Sequence, residues 1–237
     1  MMKIEQHRLR REHMARFLDD LEAQRRANAS IYLPAGAQAL HHVPEEVINR
    51  ISRSKTGAAL FLGEGLACAV IPPFPLPRSE TFSGVSTAPL RALLERDRLI
   101  ALIVVRLGDY GIGIFEGERR IGGKVGTGLV HARHRQGGSS SQRFARHREK
   151  QMEYLFERVC AHVRELLEPL GARLDHIIYG GEEHTLRAFR KQCPFLDRFE
   201  DRVLPWRLDI RKPRQTALEA AISEVWSSEV IEWSDSG

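Results

Sequence analysis

Residues 131–150 read HARHRQGGSSSQRFARHREK, the densest concentration of chemistry-bearing side chains in the chain. Arg133, Arg135, Arg143, Arg146, Arg148 and Lys150 stand there against one acid, Glu149. His131, His134 and His147 add partial positive charge. Gly137 and Gly138 permit backbone conformations closed to other residues, and with Ser139, Ser140 and Ser141 they offer nothing to a core. The segment reads as a polar loop projecting from the start of a helix whose arginines flank it, suited to entering a narrow anionic place. Its composition fits RNA phosphate; the plainer alternative is a solvated surface loop.

Other constellations are weaker. The three histidines lack a Cys or carboxylate at ligand spacing and sit among arginines that repel a cation, so no metal site is expected. Gly122-Gly123-Lys124, with Gly126 and Gly128, lacks the Ser or Thr that follows the lysine of a phosphate loop, so these read as hairpin and loop glycines. The serine tract near His134 has no rigid elbow to hold a nucleophile against its base. Gly180-Gly181-Glu182-Glu183 reads as a turn, and Trp206, Trp226 and Trp233 as core or partner-contact residues. No cofactor is called for.

Positioning these residues requires a folded scaffold. A chain of 237 residues with 42% hydrophobic content suits one moderately large domain or two small ones, and excludes disorder and collagen-like repeats. The longest apolar run, Leu99–Val105, is far below the roughly 20 residues that cross a bilayer. With an Arg/Glu-rich, unsignal-like beginning, the expectation is a soluble cytoplasmic protein without a membrane partner. Cys68, Cys160 and Cys193 are odd in number and unpaired in spacing, so neither a disulfide framework nor a zinc knuckle is expected. The net charge of +5 leans toward polyanions.

Met14, Phe17, Leu18 and Leu21 predict an amphipathic helix within residues 1–27. Strands follow at 30–34, 57–63 and 66–71, with a helix at 44–52. Pro72, Pro73, Pro75 and Pro77 read as a rigid connection running on to Pro89, the inter-domain linker, giving domains 1–89 and 90–237. In the second, LIALIVVRL (99–107) predicts a strand buried on both faces at a sheet centre. A hairpin at 110–124 follows, then a flexible segment opening at Gly126, Thr127 and Gly128. The apolar spacing from Met152 to Leu167 predicts the longest helix. Strands at 175–179 and 203–210 alternate with helices at 184–192 and 216–226, and the acidic tail beyond Trp233 reads as frayed. The order β-β-β-α-β-α-β-α predicts an α/β (α+β) fold, a mixed sheet packed by helices, preceded by a smaller α/β domain.

The order of residues adds what composition does not. Arg143-Phe144-Ala145-Arg146, placed after Gly137-Gly138, resembles the catalytic loop and following helix of the eukaryotic and archaeal class I peptide-chain release factors. In that family a Gly-Gly-Gln and a short spacer precede Arg-Phe-Ala-Arg. SIYLP, GAALFLG, PPFP, LIALIVV, YGIGIFEG and FLDRFEDRVLPWRLDI also fall in the order of the family's first and middle domains. Nothing between Gly36 and Thr56 looks like a codon-reading loop, and the chain stops where the third, GTPase-binding domain would begin. The resemblance is therefore strongest to codon-independent, Vms-like ribosome-rescue relatives.

That resemblance implies a peptidyl-tRNA hydrolase, with the large ribosomal subunit (rRNA) and peptidyl-tRNA as partners and no role for DNA. Gly137, Gly138, Ser139 and Gln142 would form its catalytic loop. Arg133, Arg135, Arg143, Arg146, Arg148 and Lys150 would hold RNA phosphates. Ser139 occupies the family's glutamine position. Gln142 is the displaced candidate, in the loop or on the helix's first turn, and Gln136 a weaker one. The rivals are a non-catalytic ribosome or RNA binder and a nuclease cutting the tRNA end.

Overall fold

The computed structural model describes residues 2–24, 27–37, 43–63, 66–128 and 139–235. The elements are β1 (Met2–Leu9), α1 (Arg11–Gln24), β2 (Ala29–Leu33), α2 (Glu45–Ser52), β3 (Ala58–Gly63), β4 (Leu66–Ile71), β5 (Glu80–Ser83) and α3 (Ala88–Glu95). There follow β6 (Leu99–Val105), β7 (Asp109–Glu116), β8 (Arg119–Thr127), α4 (Ser139–Leu167), β9 (His176–Gly180), α5 (Glu183–Gln192), β10 (Val203–Leu208), α6 (Gln215–Val225) and β11 (Ser228–Asp235). Two compact units result: Met1–Arg96 with Ser223–Gly237, and Asp97–Ile222.

The first unit holds a six-stranded sheet in the order β1-β11-β4-β3-β2-β5, with every pairing antiparallel. Val47 and Ile51 of α2 join Leu60, Ala69, Ile231 and Trp233 in its core. Here the sequence reading needs four corrections. Residues 2–9 form a strand rather than the start of a helix, because eight residues of β11 pair with them, and that partner is more than 200 residues away. The tail beyond Trp233 is the end of β11, in β-ladder register as far as Asp235. Residues 72–89 are no linker: Phe74 and Leu76 are buried, Thr56 Oγ1 donates to the Pro72 carbonyl at 2.7 Å, and β5 pairs with β2. Prolines bring no N–H needing a partner, so such a run can be tucked against a core. The second domain consequently gives up its last residues, since β11 belongs to the first sheet. The expected turn at Glu64-Gly65 lies outside the described residues.

The second unit holds the sheet β10-β9-β6-β7-β8, parallel from β10 through β9 to β6 and antiparallel from β6 through β7 to β8. All seven residues of β6 are buried, as a strand flanked on both edges and covered on both faces must be. Leu155, Phe156, Val159, Val163 and Leu167 from one stripe of α4 pack with Ala101, Ile103, Ile112, Ile177 and Phe189. Fully burying each such side chain contributes about 1.5–3 kcal/mol. The element order is the mixed α/β arrangement that the alternation of strand and helix signals predicts.

Candidate nucleic-acid interface

The ten residues 129–138, including Arg133, Arg135, Gly137 and Gly138, lie outside the described residues, as do His131, His134 and Gln136. Both stems of this segment are described. On one side β8 continues through Thr127, correcting the flexible reading of Gly126 and Thr127: the Tyr110 ring lies so close to Gly126 that a Cβ there would stand 2.5 Å from its hydroxyl. Arg158 of α4 donates to the Thr127 carbonyl and lies 5.6 Å from the Tyr110 ring centroid, while His162 stacks on Tyr110 at 5.8 Å. Lys124 Nζ meets Glu165 at 3.4 Å, and that carboxyl is held below its ordinary range chiefly by a hydrogen bond with His162, then by the charge of Lys124. The end of β8 is thus fixed to the C-terminal half of α4.

On the other side, α4 starts at Ser139, so Ser139, Ser140, Ser141 and Gln142 are the first helical turn rather than part of a flexible loop. Serine suits that place because a helix start leaves backbone N–H groups that small polar residues help to satisfy. Of the two positions left open for Gln142, the helix's first turn is the observed one. Arg143, Arg146 and Lys150 are exposed, and Arg148 is partly buried with its Nε lacking a hydrogen-bond partner among the described residues.

The charge arrangement runs against the helix's own preference. The first turn of α4 has no acid, and cations cluster at its N-terminal end, where the helix dipole is already positive. Each misplaced surface charge costs about 0.3–1 kcal/mol, and an anionic partner reverses the sign. Tyr154, 72% exposed, lies on the same stripe as Arg143, His147 and Lys150. Sequence reasoning missed it, although the spacing 143, 147, 150, 154 carries the signal.

A second correction concerns the cysteines: Cys160 of α4 and Cys193, just after α5, form a disulfide, leaving Cys68 buried as the free thiol, pushed up to about 12 by burial. Spacing along the chain does not reveal a bridge between two helices that pack side by side. Among the described residues there is no cluster of three metal-ligating side chains, and no helix long and apolar enough to cross a membrane. Gly122, Gly123 and Lys124 are strand residues of β8, and Gly181, at a φ of +118°, makes the turn into α5.

The model of the Actinobacteria/chloroflexi VLRF1 release factor family matches residues 98–231, more than half of the chain. The chain belongs to that release factor family. The match spans the basic segment and its stems, so the resemblance carried by Arg143-Phe144-Ala145-Arg146 is family membership. The chain is also similar to peptide chain release factor subunit 1 of Archaeoglobus fulgidus, 32% identical over 117 residues, 49% of this chain and 29% of that protein. It therefore spans under a third of that relative's length. Among solved structures it is similar to an archaeal translation termination factor (18% identity, TM-score 0.40, covering 92% of this chain and 73% of that one). A Vms1 mitochondrial localization core is another such neighbour (13% identity, TM-score 0.46, covering 81% and 85%).

Proposed function

We propose that this VLRF1 protein is a codon-independent peptidyl-tRNA hydrolase that frees nascent chains from stalled ribosomes or large subunits in the cytoplasm. The observation that carries the reading is the reversed charge of α4: a helix that presents exposed cations from its positive end, directly after Gly137-Gly138, within the family's matched region. Arg133, Arg135, Arg143, Arg146, Arg148 and Lys150 would hold rRNA and tRNA phosphates, with affinity that falls steeply as salt rises.

In the reaction, water attacks the ester carbonyl joining the nascent chain to the terminal ribose of the tRNA. The carbonyl–ribose oxygen bond breaks, the peptide leaves as a carboxylate, and the ribose oxygen takes one proton of the water while the other passes to solvent. Gly137 and Gly138 let the backbone approach RNA closely. The Gln142 amide, with Ser139 and first-turn N–H groups, would position the water and stabilise the developing oxyanion. An amide has no useful pKa, so this is catalysis by placement.

A second reading has its own support: Ser139 stands at the family's glutamine position and Gln142 lies within the helix. On that reading the protein binds ribosomes without hydrolysis. Release of labelled peptide from peptidyl-tRNA on isolated large subunits separates the two. The hydrolase frees peptide, leaves tRNA full-length on a gel, and loses at least about a hundredfold in rate on Gln142→Ala or Gly138→Ala. Absence of release with retained, salt-sensitive binding establishes the binder, and a shortened tRNA still joined to peptide establishes a nuclease.

A further inference from the structure

Away from the basic segment, the second unit carries a groove of about 560 Å³ between α5 and the edge strand β10. It arises from an irregularity in the strand pairing. Val203 is opposite Ile177 and Arg207 opposite Tyr179, so β10 advances four residues while β9 advances two. The surplus residues, including Pro205 and the partly exposed Trp206, stand off from the sheet and form one wall.

The floor is polar and unsatisfied. Tyr179, one of the lining residues, is 5% exposed, and its buried hydroxyl has no hydrogen-bond partner among the described residues. Burial pushes that phenol up to about 12, so it remains an O–H donor at neutral pH. Arg190 lies 5.2 Å from the Tyr179 ring centroid, is paired with Glu200, and leaves its own buried Nε without a partner. Leaving such a buried group unpaired costs about 1–3 kcal/mol.

The rim is cationic. Arg187 and Lys191 are neighbours on one face of α5, and Arg207 projects from β10. Glu183 bridges Arg187 at 3.5 Å and Arg207 at 2.9 Å. Those pairs are largely exposed, worth about 1 kcal/mol or less, and readily exchanged for a phosphate. With Arg190 the lining has four cations against two acids, Glu183 and Asp197.

We propose that this groove binds a nucleotide, its base against Trp206 and its phosphate on Arg187, Lys191 and Arg207, either free or as one unit of a single-stranded RNA. The combination of an aromatic wall and a cationic rim is the one that stacks a base and neutralises its phosphate. Addition of a peptide strand to this edge is disfavoured, because Pro205 has no N–H and the pairing of β10 is already irregular. The proposal does not depend on hydrolysis by the residue 131–150 segment.

Tryptophan fluorescence tests it in the full chain, since Trp226 and Trp233 are buried and Trp206 is not. The four nucleoside 5′-monophosphates, the matching nucleosides, inorganic phosphate, a hexanucleotide RNA and a hexaglutamate peptide serve as probes. Saturable quenching by a monophosphate or the hexanucleotide is expected, at least about tenfold tighter than by the nucleosides. It should disappear in Trp206→Phe and weaken at least about tenfold in Arg187→Ala/Lys191→Ala, while Arg143→Ala/Arg146→Ala leaves monophosphate quenching unchanged. Response to monophosphates identifies a free nucleotide as sufficient; response to the hexanucleotide alone identifies RNA. No quenching at millimolar probe, quenching by hexaglutamate alone, or quenching indifferent to Arg187→Ala/Lys191→Ala overturns the assignment. Because the readout is binding, it stands or falls separately from the peptide-release assay.

Discussion

The two halves of α4 differ in what their side chains do. From Leu155 to Leu167 one stripe is buried in the core of the second unit, and a disulfide from Cys160 ties the helix to the end of α5. From Arg143 to Tyr154 the described side chains are exposed or only partly buried and include four cations, Arg143, Arg146, Arg148 and Lys150, against Glu149 and Glu153, with Met152 packing against the core. On the proposed reading these are a rigid mount and a working end: packing fixes the direction of the helix, and its exposed arginines and Lys150 meet an anionic partner.

Changes in the mount should dominate stability. Phe156→Ala, at a side chain 1% exposed and edge-on to Phe189 at 5.9 Å, is expected to cost about 3–5 kcal/mol in urea unfolding. A loss below about 1 kcal/mol would break the comparison. Cys193→Ser, or a dithiol reductant on the native chain, should cost about 2–4 kcal/mol without altering RNA affinity at low salt. A matching fall in RNA binding would show that the working end depends on the bridge.

Changes in the working end should do the opposite. Arg143→Ala/Arg146→Ala should reduce the slope of log affinity for RNA against log salt by about two, and leave stability unchanged or raised by about 0.3–1 kcal/mol. A destabilised double variant would mean that these arginines are structural. The smallest effect is expected for Tyr154→Ala, within about 0.5 kcal/mol in unfolding, with RNA binding weakened by about 1–3 kcal/mol if a base stacks there.

How much of this was legible in the sequence divides along local and distant causes. β6 is plain from LIALIVV, and the buried stripe of α4 from its apolar spacing, because in both the pattern and the burial share one period. β1 was not legible: MKIEQHRL has only a weak alternation and becomes a strand through pairing with β11. The Cys160–Cys193 bridge and the groove beside β10 depend likewise on which elements become neighbours and on a pairing irregularity. Within the candidate interface, the cations and their order were readable from residue types alone. The start of the helix at Ser139 was not, since a serine run is neutral between cap and loop.

The pairing of β1 with β11 also bears on how the chain is made. Residues 2–9 leave a translating ribosome before the second unit and their partners, 228–235, after it. Until then β4 lacks the neighbour that β11 provides, and its backbone groups stand open along that edge. Completion of the first sheet therefore waits for the second unit to be made and is slow to nucleate, as pairings of large sequence separation are. A chain arrested before β11 would have the second unit's basic helix complete and the first sheet unfinished, an aggregation-prone intermediate.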